Sequence, residues 1–97
     1  MADQILMSPD TMRTRAAQIK SQAEDMQKMI SAMDRLLKTL EGEWKGDSMI
    51  GYEERYGKIK PSFINAKGLL DEMEHKLSGS ARIMEETDQN LASQIRR

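Results

Sequence analysis

One apolar repeat constrains this chain more than anything else in it. Met12, Ala16, Ile19, Ala23, Met26, Ile30, Met33, Leu37, Leu40 and Trp44 follow one another at alternating steps of four and three. That seven-residue period runs for more than four heptads, which marks an amphipathic helix packed lengthwise against another helix. Neither Gly nor Pro interrupts residues 10–41. The start is written just upstream. Ser8 can accept a bond from a free N–H of the first turn. Pro9 suits the first helical position, where its missing N–H is no loss. Asp10 sits near the positive end of the helix dipole. Met7 and Met12 are spaced to staple the cap. The spacing predicts a helix over about 9–41, with residues 1–7 outside it and loose at the very end.

The period breaks at Glu41-Gly42-Glu43-Trp44-Lys45-Gly46-Asp47-Ser48. Paired glycines favour a turn, here over about 42–47, because Gly adopts the left-handed conformation that ends helices. Asp47 or Ser48 can cap a second helix over about 48–94. Its stripe reads Met49, Tyr52, Tyr56, Ile59, Phe63, Ala66, Leu70, Met73 and Leu77, then Met84 and Leu91, weakened at Ser80 and Thr87. Gly51, Gly57, Gly68 and Gly79 each cost roughly 1 kcal/mol relative to Ala, and Pro61 about 3 kcal/mol. Pro61 falls opposite the apolar seam, which predicts a bent but continuous helix, concave toward its partner. A break near residue 60 is the alternative.

The expected fold is all-α, an antiparallel helical hairpin with arms about 50 and 70 Å long. Two helices bury only one seam each, and a scaffold this small needs more buried surface. Met29 and Leu36 widen the first stripe, as Leu69 and Ile83 widen the second. A four-helix bundle requires that width and a lone hairpin does not. These positions point to a dimer of hairpins, with Met29, Met33, Leu36 and Leu40 in its interface.

Composition removes most other functions. With 97 residues there is room for one domain, 38% hydrophobic and 32% charged. Lys and Arg number 15 against 16 Asp and Glu, so no basic excess attracts nucleic acid. The absence of Cys and the single His exclude thiolate chemistry and His-rich metal sites, so neither metal nor cofactor is expected. Nine Met suit irregular helix–helix contacts. His75 reads as a solvated surface residue. The adjacent carboxylates Asp71-Glu72 and Glu85-Glu86 do not face each other on a helix. Arg96 and Arg97 suit a helix C-terminus but are too few for a nucleic-acid patch. No enzyme and no small-molecule substrate is expected. Met1-Ala2-Asp3-Gln4 lacks the basic start of a cleavable signal, and no apolar run approaches a membrane span of about 20 residues. The expectation is a cytosolic protein, or one exported without a cleaved signal.

Trp44-Lys45-Gly46 at the centre of such a chain, flanked by long amphipathic helices, resembles the WXG family of Trp-Xaa-Gly proteins. These are the early-secreted-antigenic-target-like substrates of type VII secretion in Firmicutes and Actinobacteria. The Ser8-Pro9 start and Lys60-Pro61-Ser62-Phe63 also resemble Gram-positive members. The resemblance implies a hairpin that pairs antiparallel, with itself or a related WXG protein, into an elongated four-helix bundle. It implies an extracellular destination, reached with the membrane-bound secretion ATPase as partner. Members often carry a C-terminal pattern that Met84, Asp88, Leu91 and Ile95 match in spacing. Where the better-known export pattern has Tyr, this sequence has Met84, so the signal is either complete without Tyr or borrowed from a partner. Trp44 reads as a plug for the core or as a surface for the ATPase, and Gly46 as a backbone requirement of the turn. Asp88 reads as a solvated helix residue or as part of the signal. Three functions stay open: an exported dimeric substrate with a two-part signal, an adaptor that pairs with a larger toxin for export, and a cytosolic scaffold.

Overall fold

Ser8 opens α1, which spans Pro9–Glu43 in the computed structural model of residues 6–95. Its backbone is extended (φ −69°, ψ 158°), and its Oγ accepts from the Thr11 N–H at 3.2 Å. Its carbonyl accepts the first helical bond from the Met12 N–H at 2.9 Å. Met12 is buried and Met7 half-buried, as a staple requires. Residues 1–5, Arg96 and Arg97 lie outside the described residues, and with them the loose N-terminal end; so does the side chain of Ile95.

α1 continues through Gly42, which the sequence alone places in the turn. The turn is only Trp44, Lys45 and Gly46, and α2 spans Asp47–Ile95. Gly46 takes the cap position that the sequence alone gives to Asp47 or Ser48. Its carbonyl accepts from the Ile50 N–H at 3.4 Å, and Asp47 becomes the first helical residue. At φ +151° Gly46 is the only residue with positive φ among those described. A side chain would meet open space there, so the backbone conformation alone demands glycine.

α2 runs unbroken through Pro61, so the alternative of a break near residue 60 does not hold. The cause lies one turn upstream. Lys60 Nζ donates to Asp34 Oδ2 at 2.9 Å and Tyr56 Oη donates to Asp34 Oδ1 at 2.9 Å. These bonds tie to α1 the turn that Pro61 deprives of a helical hydrogen bond.

The helices are antiparallel neighbours in one layer. Arg13 meets Glu85, Asp34 meets Lys60, and Trp44 meets Tyr52. The molecule measures 77 × 26 × 15 Å. Its radius of gyration is 21.4 Å, against about 13 Å for a compact chain of this length. The core is small: Met12, Ala16, Ala23, Ile30, Met49 and Ala81, half of them alanine.

The α2 stripe does not all face α1. Met49 is buried against it, and Tyr56, Leu70, Leu77 and Met84 are half-buried. Tyr52, Ile59, Phe63 and Met73 are exposed. Glu53, Lys60, Lys67 and Glu74 are half-buried in their place, with Ala81 buried below them. The line facing α1 is thus turned by about 50° from the centre of the apolar stripe. On that flank Lys60 reaches Asp34 on α1 and the small Ala81 is fully buried, which leaves the apolar flank uncovered.

Candidate helix-pairing surface

That rotation makes the two long grooves of the hairpin unlike. One is polar. Lys20, Gln27 and Lys67 line its upper part, and Asp34, Glu41 and Glu53 its lower part. The other is apolar along most of the paired length. Next to the turn it forms a trough of about 460 Å³ lined by Met33, Leu40, Trp44, Tyr52, Ile59 and Phe63. Near mid-length a narrower cavity of about 140 Å³ is walled by Met26, Met29, Ile30, Met33 and Phe63. Beyond it a third trough, of about 400 Å³, includes Ile19, Leu69, Met73 and Leu77.

The structure brings Met29, Met33 and Leu40 of the sequence-derived set into this groove, while Leu36 is exposed and lines none of the three cavities. Sequence reasoning assigns Tyr52, Ile59, Phe63 and Met73 to the intrachain seam and so misses them here. The available signal is the polar series Glu53, Lys60, Lys67 and Glu74, which repeats every seven residues one position after Tyr52, Ile59, Ala66 and Met73. Of that series, Lys60 has a complementary charge on α1, Asp34.

At one end of the groove, Trp44 caps α1 through its N–H to the Leu40 carbonyl at 2.6 Å. Its ring centroid lies 5.7 Å from that of Tyr52, tilted by 50°, and the Arg55 guanidinium sits 5.9 Å from the Tyr52 centroid. Trp44 keeps 44% of its surface uncovered. At the other end Arg13 grips both carboxylate oxygens of Glu85. Beyond that clasp every residue from Glu86 to Gln94 is exposed. This arm carries Asp88 and Leu91, both exposed, with half-buried Met84 at its root. It lies at the far end of the hairpin from Trp44 and Gly46. Within one chain, the turn motif and the C-terminal pattern do not come together.

The titratable groups with shifted pKa values are the cross-helix partners. The bond from Lys60, then that from Tyr56, holds Asp34 below the usual carboxylate range. The bond to Asp34 raises Lys60. Partial burial, then the Asp34 carboxylate, raises Tyr56. The Arg13 bond lowers Glu85. These groups are engaged with one another on or near the surface, and of them Tyr56 also lines the trough beside Trp44. Among the described residues no cluster of His, Asp or Glu is placed to hold a metal ion. No described helix is long and apolar enough to cross a membrane.

The family described as proteins of 100 residues with WXG matches residues 4–89. Protein YukE of Bacillus subtilis is 31% identical over 96 residues, covering 99% of each chain. Type VII secretion system extracellular protein A of Staphylococcus aureus is 24% identical over 89 residues, covering 92% of each. Among solved structures, Geobacillus thermodenitrificans EsxA superposes with a TM-score of 0.87 at 34% identity, covering 95% of this chain and 99% of that one. The secreted protein EsxB of Bacillus anthracis shares the fold, with a TM-score of 0.79 at 21% identity, over 90% of this chain and 99% of that one.

Proposed function

The chain belongs to the WXG100 family, and from that premise we propose that it is a small non-enzymatic substrate of a type VII secretion machine, exported as a pair of hairpins. The observation that carries the pairing is surface area. The hairpin exposes 7918 Å², where a compact protein of 11.1 kDa exposes about 5,700 Å². The excess is about 2,200 Å², well above the roughly 800 Å² per partner of an ordinary stable interface. The apolar groove is the part of that surface a partner would cover. A second copy seated in the apolar groove completes a four-helix bundle, with Met29, Met33, Leu40, Ile59 and Phe63 in its core. Leu36, exposed on the same helix, joins them at the edge.

An antiparallel pair also resolves the separation of the two motifs. It brings the Trp44-Lys45-Gly46 turn of one copy toward the Asp88–Leu91 arm of the other, giving a two-part export signal that exists only in the pair. Met84, Asp88, Leu91 and Ile95 form the arm's share of that signal, which the secretion ATPase reads. The name of the Staphylococcus aureus relative supports an extracellular destination. The methionines of the groove favour one further reading, because Met repacks against partners of different shape. On that reading the second hairpin belongs to a larger toxin and the chain is its adaptor.

The test is export from a Gram-positive host with an active type VII system. Asp88→Ala, or deletion of residues 87–97, is expected to leave the chain in the cells while the purified variant still pairs. Export of either variant at the normal level would remove the arm from the signal. A purified chain that stays at 11.1 kDa by light scattering would move the adaptor reading to first place.

A further inference from the structure

The described methionines differ in burial, and Met7, Met26 and Met84 are half-buried. Met12 and Met49 are sealed in the hairpin core. Met29, Met33 and Met73 have 57%, 38% and 46% of their surface uncovered, and all three stand in the apolar groove. The chain has no Cys, so thioethers are the only sulfur an oxidant can meet. Oxidation converts a flexible apolar thioether into a polar sulfoxide and disrupts Met-rich interfaces. We propose that Met29, Met33 and Met73 form an oxidation site through which a peroxide-class oxidant holds the chain in its unpaired state. The inference rests on the reading that this groove pairs with a second copy of the chain.

The chemistry is balanced by the oxidant alone. A sulfur lone pair attacks one oxygen of hydrogen peroxide. The S–O bond forms as the O–O bond breaks, and the departing hydroxide takes the proton of the transferred oxygen. The products are one sulfoxide and one water; sulfur is oxidised by two electrons and the peroxide is reduced by two.

The sulfoxide has different consequences in the free and the paired hairpin. In the free hairpin the new oxygen faces water, so the fold is untouched. In the pair the oxygen on Met29 or Met33 enters a cavity walled by Met26, Ile30 and Phe63, where no side chain can donate a hydrogen bond, while that on Met73 enters a trough whose donors are Lys76 and Ser80 at its polar edge. An unpartnered polar group buried this way weakens association by about tenfold or more. Pairing in turn covers the same three sulfurs and slows their oxidation by keeping the oxidant from them. Met12 and Met49 are protected in both states, so the hairpin survives an exposure that ends pairing.

The experiment uses the full chain and hydrogen peroxide, at a protein concentration where pair and single hairpin coexist. Light scattering fixes the mass before and after, peptide mass mapping locates the sulfoxides, and circular dichroism reports the helices. The expected result is oxidation of Met29, Met33 and Met73 ahead of Met12 and Met49. The pair mass should fall to 11.1 kDa with helicity retained. A methionine sulfoxide reductase should restore the pair. The triple variant Met29→Leu, Met33→Leu, Met73→Leu should pair and keep its pair mass at an oxidant exposure that splits the unaltered chain. The double variant Met29→Gln, Met33→Gln should stay helical and unpaired without any oxidant. A chain that carries all three sulfoxides and still pairs would overturn the inference and leave the pairing reading standing, as would earlier oxidation of Met12 or Met49. A chain that never pairs before oxidation would overturn both.

Discussion

Ile59→Lys separates the pairing surface from the fold. Ile59 lies in the trough beside Trp44 with 49% of its surface uncovered. Full burial of an Ile side chain is worth about 1.5–3 kcal/mol, so covering the open half is worth about 0.7–1.5 kcal/mol per copy. Two copies per pair double that to about 1.5–3 kcal/mol, or a dissociation constant roughly 10–150 times weaker once the side chain is lost. The lysine adds the penalty of an ammonium held out of water, so the upper end applies. The single hairpin should lose less than the pair, because the lysine stem can cover the contacts Ile59 makes there while its ammonium stays in solvent. Sedimentation equilibrium reads the dissociation constant, and urea unfolding of the dilute chain reads the hairpin. The control is Glu41→Lys, which places the same charge in the opposite, polar groove. An unchanged dissociation constant for Ile59→Lys, or equal damage from Glu41→Lys, would refute the assignment of the two grooves.

Single positions in the hairpin carry further outcomes. Gly46→Val has room for its side chain but not the backbone for it, so it should cost about 1–3 kcal/mol in urea unfolding. Met12→Ala removes the largest fully buried side chain and should cost about 2–5 kcal/mol, a large share of what so small a core can hold. Gly57→Ala meets nothing within 4 Å inside α2 and should raise the thermal midpoint, being worth about 0.5–1 kcal/mol. The pH dependence has a worked sign. Asp34 and Glu85 titrate lower folded than unfolded, so their contributions are full above the ordinary carboxylate range and vanish as pH falls through the lowered values. Lys60 titrates higher folded than unfolded, so its contribution is full below the ordinary lysine value and is lost as pH rises through the raised one. Thermal melts should show stability falling below about pH 4, and Asp34→Asn should flatten part of that fall.

The hairpin is legible in the sequence because its signals are local. The Ser8-Pro9 start, the glycine-free α1 period and the Gly46 turn are all read within a few residues of where they act. The rotation of α2 is not legible. Its apolar stripe serves two neighbours, α1 and the open groove, and periodicity alone cannot apportion one stripe between two faces. The deciding contacts join residues far apart in the chain: Lys60 to Asp34, and Arg13 to Glu85 across 72 positions. The same blindness hides half of the candidate surface. Met29, Met33 and Leu40 stand out on α1, while Ile59, Phe63 and Met73 fit the intrachain seam equally well. Pro61 misleads in the other direction, because its local penalty is visible and the Asp34 tether that offsets it is not.

The central claim is an antiparallel pair that brings the turn of one copy to the arm of the other. The chain has no Cys, so single spin labels can be placed at will through Lys45→Cys and Asn90→Cys. Within one chain these positions lie about 65 Å apart along α2. In an antiparallel pair centred on the Met33–Phe63 cavity, Lys45 of one copy and Asn90 of the other come within about 25 Å. Chains labelled singly at each position, mixed and measured by pulsed electron resonance, should show that short distance between copies. Distances only beyond about 50 Å, the length of α1, or no distance between copies at all, would contradict the account.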